Sequence, residues 1–339
     1  MKIKIIGGGS AGNHMAYALS QIKDINKIYI SDLSHKILER SKKIYIERYK
    51  KKNRKIHYLI ENNKEDEKKF DAIIVSTPPF CHKSNINDNL NKSNNFLIEK
   101  PICDPTSSSI SYFENLNKKF KNKIFLCGYN HRLFPSTLKL KNLIKNDNLK
   151  FCRVSFKENI SGFLKAHSWL KSINETYLSM TKQGGGALCE HSHALNLLQF
   201  FMNDKIRKFK IKNFNFVDNK KNYHDTQFSG ILNSNTCIGE FDQNFETLPV
   251  EKIVEIFSNK KIYKLTYNFK GSNDCIEIFY FNGNYKKFIF KKKRSDDFLY
   301  EAKHFIKIIK QKKNIKSSIE LKNSLKTIKI INQFLKKLI

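Results

Sequence analysis

The chain is poor in arginine: seven of its 63 basic residues are arginine, and the rest are lysines scattered through every segment. Nucleic-acid readers favour the bidentate arginine fork and interleave aromatics within one patch. A formal charge of +32 carried by dispersed lysine therefore argues against a nucleic-acid partner. What it favours is steering of anionic small substrates. Long apolar runs are also lacking: the stretch Ala194 to Met202 is interrupted and too short to span a bilayer, so no membrane partner is expected. The opening MKIKIIGGG reaches glycines after two isoleucines and offers no signal-peptide core, which makes the cytoplasm the expected location. The seven cysteines (Cys81, Cys103, Cys127, Cys152, Cys189, Cys237, Cys275) show no spacing suited to a zinc site or redox pair. They read as small buried apolar side chains in a reducing compartment, and no metal is expected.

The first 130 residues alternate short apolar runs with amphipathic stretches. Strands are expected at Ile3–Ile6, Lys27–Ser31, Ile56–Ile60, Asp71–Thr77, Phe96–Ile98 and Ile124–Tyr129. Helices fall between them, one capped by Ser34 and one opened by Asp104 with Pro105 at its first position. This rhythm predicts a parallel sheet with helices on both faces. From Phe151 the pattern becomes alternating runs, at Thr226–Leu232, Cys237–Asp242, Val250–Phe257, Lys261–Phe269, Cys275–Phe281 and Tyr285–Phe290, with Asn282-Gly283 as a hairpin turn. These predict a large, mostly antiparallel sheet, covered on one face by a continuous helix from Leu188 to Met202. The tail is helical again, with an apolar stripe at Phe298, Ala302, Phe305 and Ile309 and a capping-box pattern at Ser317 and Glu320. The expected fold class is α/β, divided as 1–130, 131–294 and 295–339, the last segment packing back on the first.

Gly7, Gly9 and Gly12 form G-x-G-x-x-G between a strand and a helix, with Ser10 and Ala11 opening that helix. The first glycine permits the tight turn, the second lets backbone approach a pyrophosphate, and the third lets helix and strand pack closely. Asp32 follows 20 residues after Gly12, where a carboxylate accepts hydrogen bonds from ribose hydroxyls. An acid there repels a 2′-phosphate, so NAD is the expected cofactor; His35 and Lys36 leave NADP open.

Lys100, in LIEKP, stands apart from the other lysines because it lies just past a strand end, at the edge where open parallel sheets bind ligands. Taken in order, GGGSAG (7–12), Asp32, STPPFCH (76–82), EKP (99–101), GYNHRLFP (128–135) and GGGALCEHSHALN (184–196) resemble the glucose–fructose oxidoreductase / inositol dehydrogenase / rhizopine catabolism (Gfo/Idh/MocA) family over essentially the whole chain. The resemblance implies a Rossmann domain, an α/β domain whose open sheet mediates a homodimer or homotetramer, and NAD(P)-dependent redox chemistry on sugars, nucleotide sugars or cyclitols. It places Lys100 and Glu99 beside the nicotinamide, with Thr77, Pro78 and His82 lining that half of the groove. It also implies an acid and a histidine facing the substrate, for which the matches are Glu190 and His193. On one helix these would share a face, with His191 turned to the core. Glu190 replaces the usual Asp, and Asn196 stands where a further Asp is common. The form EHSHALN is similar to a subset associated with surface-polysaccharide and sugar modification.

Tyr129, Asn130, Arg132, Trp169 and Tyr177 are candidate substrate contacts, since aromatic faces suit sugar C–H surfaces and a guanidinium suits a carboxylate or phosphate. Loop packing for Trp169 and a structural ion pair for Arg132 are equally compatible readings. In the expected mechanism His193 takes the hydroxyl proton, Lys100 orients the reacting oxygen and Glu190 tunes them, with Lys100 and His193 exchangeable in role. The competing class is a sensor or scaffold that binds NAD and sugar without turnover.

Overall fold

Short runs such as AIIV and NFLI are apolar on both faces, and such runs are stable only as strands covered on both sides. In the computed structural model, which describes residues 1–50, 52–61, 69–167, 169–202, 206–219, 222–311 and 316–338, they become the middle of a parallel sheet. Along the chain, β1 (Lys2–Ile6), α1 (Ser10–Ser20), β2 (Lys27–Asp32), α2 (His35–Tyr49), β3 (Ile56–Ile60), β4 (Ala72–Val75), α3 (His82–Asn87), β5 (Asn95–Ile98), α4 (Ser107–Lys119) and β6 (Ile124–Cys127) follow one another. The strand order is β3-β2-β1-β4-β5-β6, the doubly wound arrangement. Ile3, Ile5, Ile73, Ile74, Phe96 and Ile98 form its fully buried centre. Ser34 caps α2 as expected, its hydroxyl accepting from the Ile37 N–H at 3.3 Å. The helix expected to open at Asp104 starts later: Thr106 caps α4, and Asp104 instead accepts from the Thr106 N–H and the Ser109 hydroxyl.

The second sheet belongs to a separate unit, which comprises His131–Arg294 and Lys329–Ile339. Its elements are α5 (Pro135–Leu143), β7 (Leu149–Lys157), α6 (Ile160–Ala166), α7 (Ala187–Glu190), α8 (His193–Met202), β8 (Lys208–Asp218), β9 (Tyr223–Asn233), β10 (Ile238–Asn244), β11 (Glu251–Ser258), β12 (Lys261–Phe269), β13 (Asn273–Tyr280) and β14 (Tyr285–Phe290). Eight strands pair in the order β14-β13-β12-β11-β7-β10-β9-β8, antiparallel except for β7 with β10. Strand alternation sorts the two faces. Cys152, Val154 and Phe156 of β7 are buried, while Arg153 and Lys157 pair on the other face with Glu240, Glu255, Asp242 and Glu251. Helix α8 packs on β7 and β10, close enough that a Cβ on Gly239 would meet Met202 Sδ at 2.4 Å.

Two helices close the chain, α9 (Asp296–Lys310) and α10 (Leu321–Lys336). α9 packs on α1 within the first unit, which comprises Met1–Asn130 and Ser295–Ile328. In the same unit the Cys127 N–H donates to the Ile319 carbonyl at 2.9 Å. From Lys329 the chain counts with the second unit, where Phe334 packs against Phe209, Phe228 and Phe241. The capping residues take up their expected contact in part: Glu320 accepts from the Ser317 N–H at 2.8 Å, ahead of a helix that begins at Leu321. Among the described residues no helix is long and apolar enough to cross a membrane.

One core position breaks the apolar rule. Lys4 on β1 is fully buried and reaches Glu61 at 3.1 Å and the Asn89 side-chain oxygen at 3.2 Å. Removing one member of a buried pair takes away most of the compensation of the other's charge. Glu61→Ala is therefore expected to lower the free energy of unfolding by about 3 kcal/mol or more in urea denaturation, well above the effect of an exposed Glu→Ala control.

Candidate active site

All strands of the first sheet run parallel, so their C-terminal ends share one edge. Gly7 after β1, Asp32 ending β2, Ser76 and Thr77 after β4, and Glu99 and Lys100 after β5 all lie at that edge. The turn from β1 into α1 is fixed by contacts that admit no side chain. Gly7 has φ +104°, and a Cβ there would meet the Ser76 carbonyl oxygen at 2.7 Å; a Cβ on Gly12 would lie 2.1 Å from the Gly7 carbonyl oxygen. Gly9 differs, since among the described residues nothing beyond its chain neighbours lies within 4 Å of where its Cβ would be. The open space sits at the N-terminus of an 11-residue helix, where backbone N–H groups and the helix dipole favour a phosphate. Asp32 stabilises the turn directly, accepting from the Gly8 N–H at 2.8 Å and the Leu33 N–H at 2.8 Å. Ser10 accepts from Arg48 at 3.2 Å, tying the start of α1 to α2, and Ala11 follows it, half-buried. These groups fit a dinucleotide: a glycine surface for pyrophosphate and a carboxylate for ribose.

Further along the edge, the Thr77 hydroxyl accepts from Asn85 at 2.8 Å, and Pro78 precedes a 3-10 turn. His82, expected to line the groove, is fully buried, with its ring nitrogens bonded to the Ile102 and Thr77 carbonyls at 3.0 and 2.8 Å. It braces the loop behind Thr77; the groove-lining reading is corrected. Lys100 is half-buried, and its N–H donates to the Glu99 carboxylate at 3.4 Å. That carboxylate folds against Gly128, where a Cβ would lie 3.0 Å from Glu99 Oε2.

Sequence reading missed what stands near Glu99. Glu301 on α9 is fully buried, and neither carboxyl oxygen has a hydrogen-bond partner among the described residues. Burial, and then the neighbouring Glu99 charge, push its carboxyl well above the usual range. The signal was available, because Glu301 falls on the apolar stripe of α9, three residues after Phe298 and four before Phe305.

In the second unit the expected continuous helix is broken. α7 ends at Glu190, His191 leaves helical geometry at φ −92° and ψ 20°, and α8 starts at His193. Glu190 and His193 therefore do not share one helix face, and that expectation is corrected. Glu190 meets Tyr177, whose hydroxyl lies 3.5 Å from Glu190 Oε2. His191 packs edge-on against Phe245, half-buried. His193 lies beside His131, with ring centroids 4.4 Å apart, and both rings pack on Phe156. Burial first, then positive charge from His193, Lys252, Lys292 and Arg294, holds His131 well below the usual imidazole range. A neutral imidazole thus adjoins His193. His131 lies inside GYNHRLFP, a stretch in which sequence reading weighted its neighbours.

Those neighbours are largely buried. Tyr129 is 1% exposed and Asn130 9%. Arg132, 4% exposed, donates to the Asn196 carbonyl at 2.6 Å and lies over the Phe200 ring. The guanidinium holds the backbone of α8, which is what the structural reading of Arg132 expects. Trp169 packs edge-on against His167, itself stacked on Phe163 and bonded to the Phe163 carbonyl, which is the loop-anchoring reading. No cluster of three His, Cys, Asp or Glu among the described residues could hold a metal ion. A cavity of about 540 Å³ lined by Lys27, Tyr29, Tyr45, Ile56 and Tyr58 opens where β2 and β3 begin, at the opposite edge from the glycine turn.

Fold and site define an α/β protein whose first unit is a Rossmann-type parallel sheet with a glycine turn suited to a dinucleotide. Residues 1–126 match the profile of the Gfo/Idh/MocA oxidoreductase family, NAD-binding Rossmann fold. Glucose-6-phosphate 3-dehydrogenase of Bacillus subtilis is 27% identical over 176 residues, covering 51% of this chain and 47% of that protein. The match thus spans about half the length of the curated relative. Among solved structures, levoglucosan dehydrogenase in complex with NADH and L-sorbose has a TM-score of 0.79 at 11% identity, covering 99% of this chain and 96% of that one. UDP-N-acetylglucosamine 3-dehydrogenase from Acidithiobacillus ferrooxidans has a TM-score of 0.71 at 12% identity, covering 98% and 96%. These likenesses bear out the α/β fold class and, with the family match, the expectation of NAD.

Two expectations follow. Gly9→Ala should leave thermal stability unchanged and weaken NADH binding at least about tenfold in a fluorescence titration, since the added methyl occupies only the phosphate space. Glu301→Gln should change the pH dependence of stability. A carboxyl with a raised folded pKa contributes stability that is full below its unfolded value of about 4.3 and is lost as pH rises through the folded value. The melting temperature of Glu301→Gln relative to the parent should therefore climb steadily from pH 4 to pH 8.

Proposed function

We propose that this protein transfers a hydride between NAD and a ring hydroxyl or carbonyl of a sugar bearing a phosphate or nucleotide, in sugar or surface-glycan modification. The observation that carries the reading is the shared strand edge, where the glycine turn, Asp32 and Lys100 lie together. The curated relative, a dehydrogenase of a sugar phosphate, supports the substrate class, as does the chain's charge of +32. When bound, the nicotinamide supplies the hydride acceptor. His193 takes the proton of the reacting hydroxyl, with the neutral ring of His131 packed beside it. Lys100 orients the reacting oxygen, and Glu190 with Tyr177 orders the sugar hydroxyls.

The protein works in the cytoplasm as a homo-oligomer. Exposed Phe214, Ile238, Phe279, Phe281, Tyr285 and Ile289 on or beside strands of the second sheet support an interface there. The second reading, an NAD and sugar sensor without turnover, is favoured only by Glu190 and Asn196 standing where the resemblance leads one to expect Asp. NADH absorbance with a panel of sugar phosphates and nucleotide sugars separates the two. Turnover is expected with at least one anionic sugar, and Lys100→Ala and His193→Ala should each lower kcat by about 100-fold or more. No turnover with any of them would leave the sensor reading.

A further inference from the structure

We propose that Asp225 is a positioning residue, a latch that fixes the Gly184–Gly186 turn and so aims the segment carrying Glu190 and His193. Sequence reading passed over Asp225, which stands immediately before the run Thr226–Leu232 read as a strand. In the structure it is fully buried on β9, and its Oδ2 accepts from the Leu188 N–H, in the first turn of α7, at 2.6 Å. The glycine turn is built around it. Gly186 has φ +85°, and a Cβ there would lie 2.0 Å from Asp225 Oδ1; a Cβ on Gly185 would lie 2.1 Å from the Tyr177 carbonyl oxygen. The Gly186 N–H donates to the Leu178 carbonyl at 2.8 Å, and Gln243 on β10 donates to the Ala187 carbonyl at 3.1 Å.

One carboxylate thus sets where Tyr177 and Glu190 meet and where the chain breaks before His193. At Gly185 and Gly186 backbone and carboxylate occupy the space that side chains would fill, and Gly184 has φ +90°. The importance of this for turnover rests on the function proposed above; the latch itself does not.

Asp225 is also a group whose charge changes near neutrality. Burial pushes its carboxyl up to about 7, opposed only by the N–H groups of Leu188 and of Asp225 itself. The elements around it carry Asp218 on β8, His224 on β9, Cys189 and Glu190 on α7, Asp242 on β10, and Tyr177 and Lys182 in the 3-10 turns. None of them contributes charge to that balance. Because the folded value is raised, stability is lost as pH rises from the ordinary carboxyl value of 3.8 to about 7. Over the same interval the ionised carboxylate grips the Leu188 N–H more strongly, since charge-assisted hydrogen bonds are the stronger ones.

The test uses the full chain with Asp225→Asn, which keeps an acceptor oxygen and cannot ionise, and Asp225→Ala, which keeps neither. Histidine ring signals are followed by NMR from pH 5 to pH 9, and NADH affinity is measured in parallel. In the parent protein the His193 signal should show a step near pH 7 that Asp225→Asn lacks. Asp225→Ala should displace the His193 signal at every pH, with NADH affinity unchanged, because the glycine turn that takes the cofactor belongs to the other unit. Where a sugar substrate turns over, kcat of Asp225→Ala should fall about tenfold to 100-fold with the pH limb near 7 removed in Asp225→Asn. Unmoved His193 signals in both variants overturn the latch. If Asp225→Ala fails to fold, Asp225→Asn decides alone. Absence of turnover in the parent would sink the proposed function and leave the NMR result to judge the latch.

Discussion

The structure depends on backbone meeting backbone where no side chain fits. α1 can begin where it does only because Gly12 lies against the Gly7 carbonyl and Gly7 against the Ser76 carbonyl. That contact sets the distance between helix and sheet. It points the first N–H groups of α1 toward the space beside Gly9, and it leaves Asp32 within hydrogen-bond reach of Gly8. A cofactor site of this kind is a consequence of packing: the same missing methyl groups that let helix and strand approach leave polar backbone open to an anion.

The second unit uses the same device for a different purpose. Gly185 and Gly186 press against the Tyr177 and Leu178 carbonyls and the Asp225 carboxylate, and this holds a one-turn helix that would be too short to persist alone. Its stability is tertiary. The helix then stops at His191, so that Glu190 turns to Tyr177 while His193 joins His131 and Phe156. Buried carboxyls recur in both units, at Glu301 and at Asp225, each raised chiefly by loss of water. A protein that keeps such groups accepts a cost in stability at neutral pH.

Much of the first unit was legible because its signals are local. The strand runs, the glycine spacing, Asp32 and the Ser34 cap each declare themselves within a few residues, and the hairpin at Asn282-Gly283 does the same in the second unit, with Gly283 at φ +83°. Two strands escaped notice. β7 mixes charge with apolar residues because both of its faces are occupied, one by α8 and the other by an ion-pair ladder. β8 lies at a sheet edge and is largely exposed, so its pattern carries little contrast. The break between α7 and α8 was invisible for another reason: its helical periodicity continues through a stop imposed from outside by Asp225 and the turn.

The sequence by itself determined the order of elements, the two sheets, the phosphate turn and the family that its motifs resemble, because propensity, periodicity and glycine spacing act over short distances along the chain. Tertiary structure decided which polar side chains act and which support. His82 lies against the Ile102 and Thr77 carbonyls, and Arg132 donates to the Asn196 carbonyl. Lys4 became a core residue through Glu61 and Asn89, and Asp225 a latch through Leu188. Each of these roles depends on a partner far away in sequence and on the exclusion of water around the pair, and both exist only after the chain has folded.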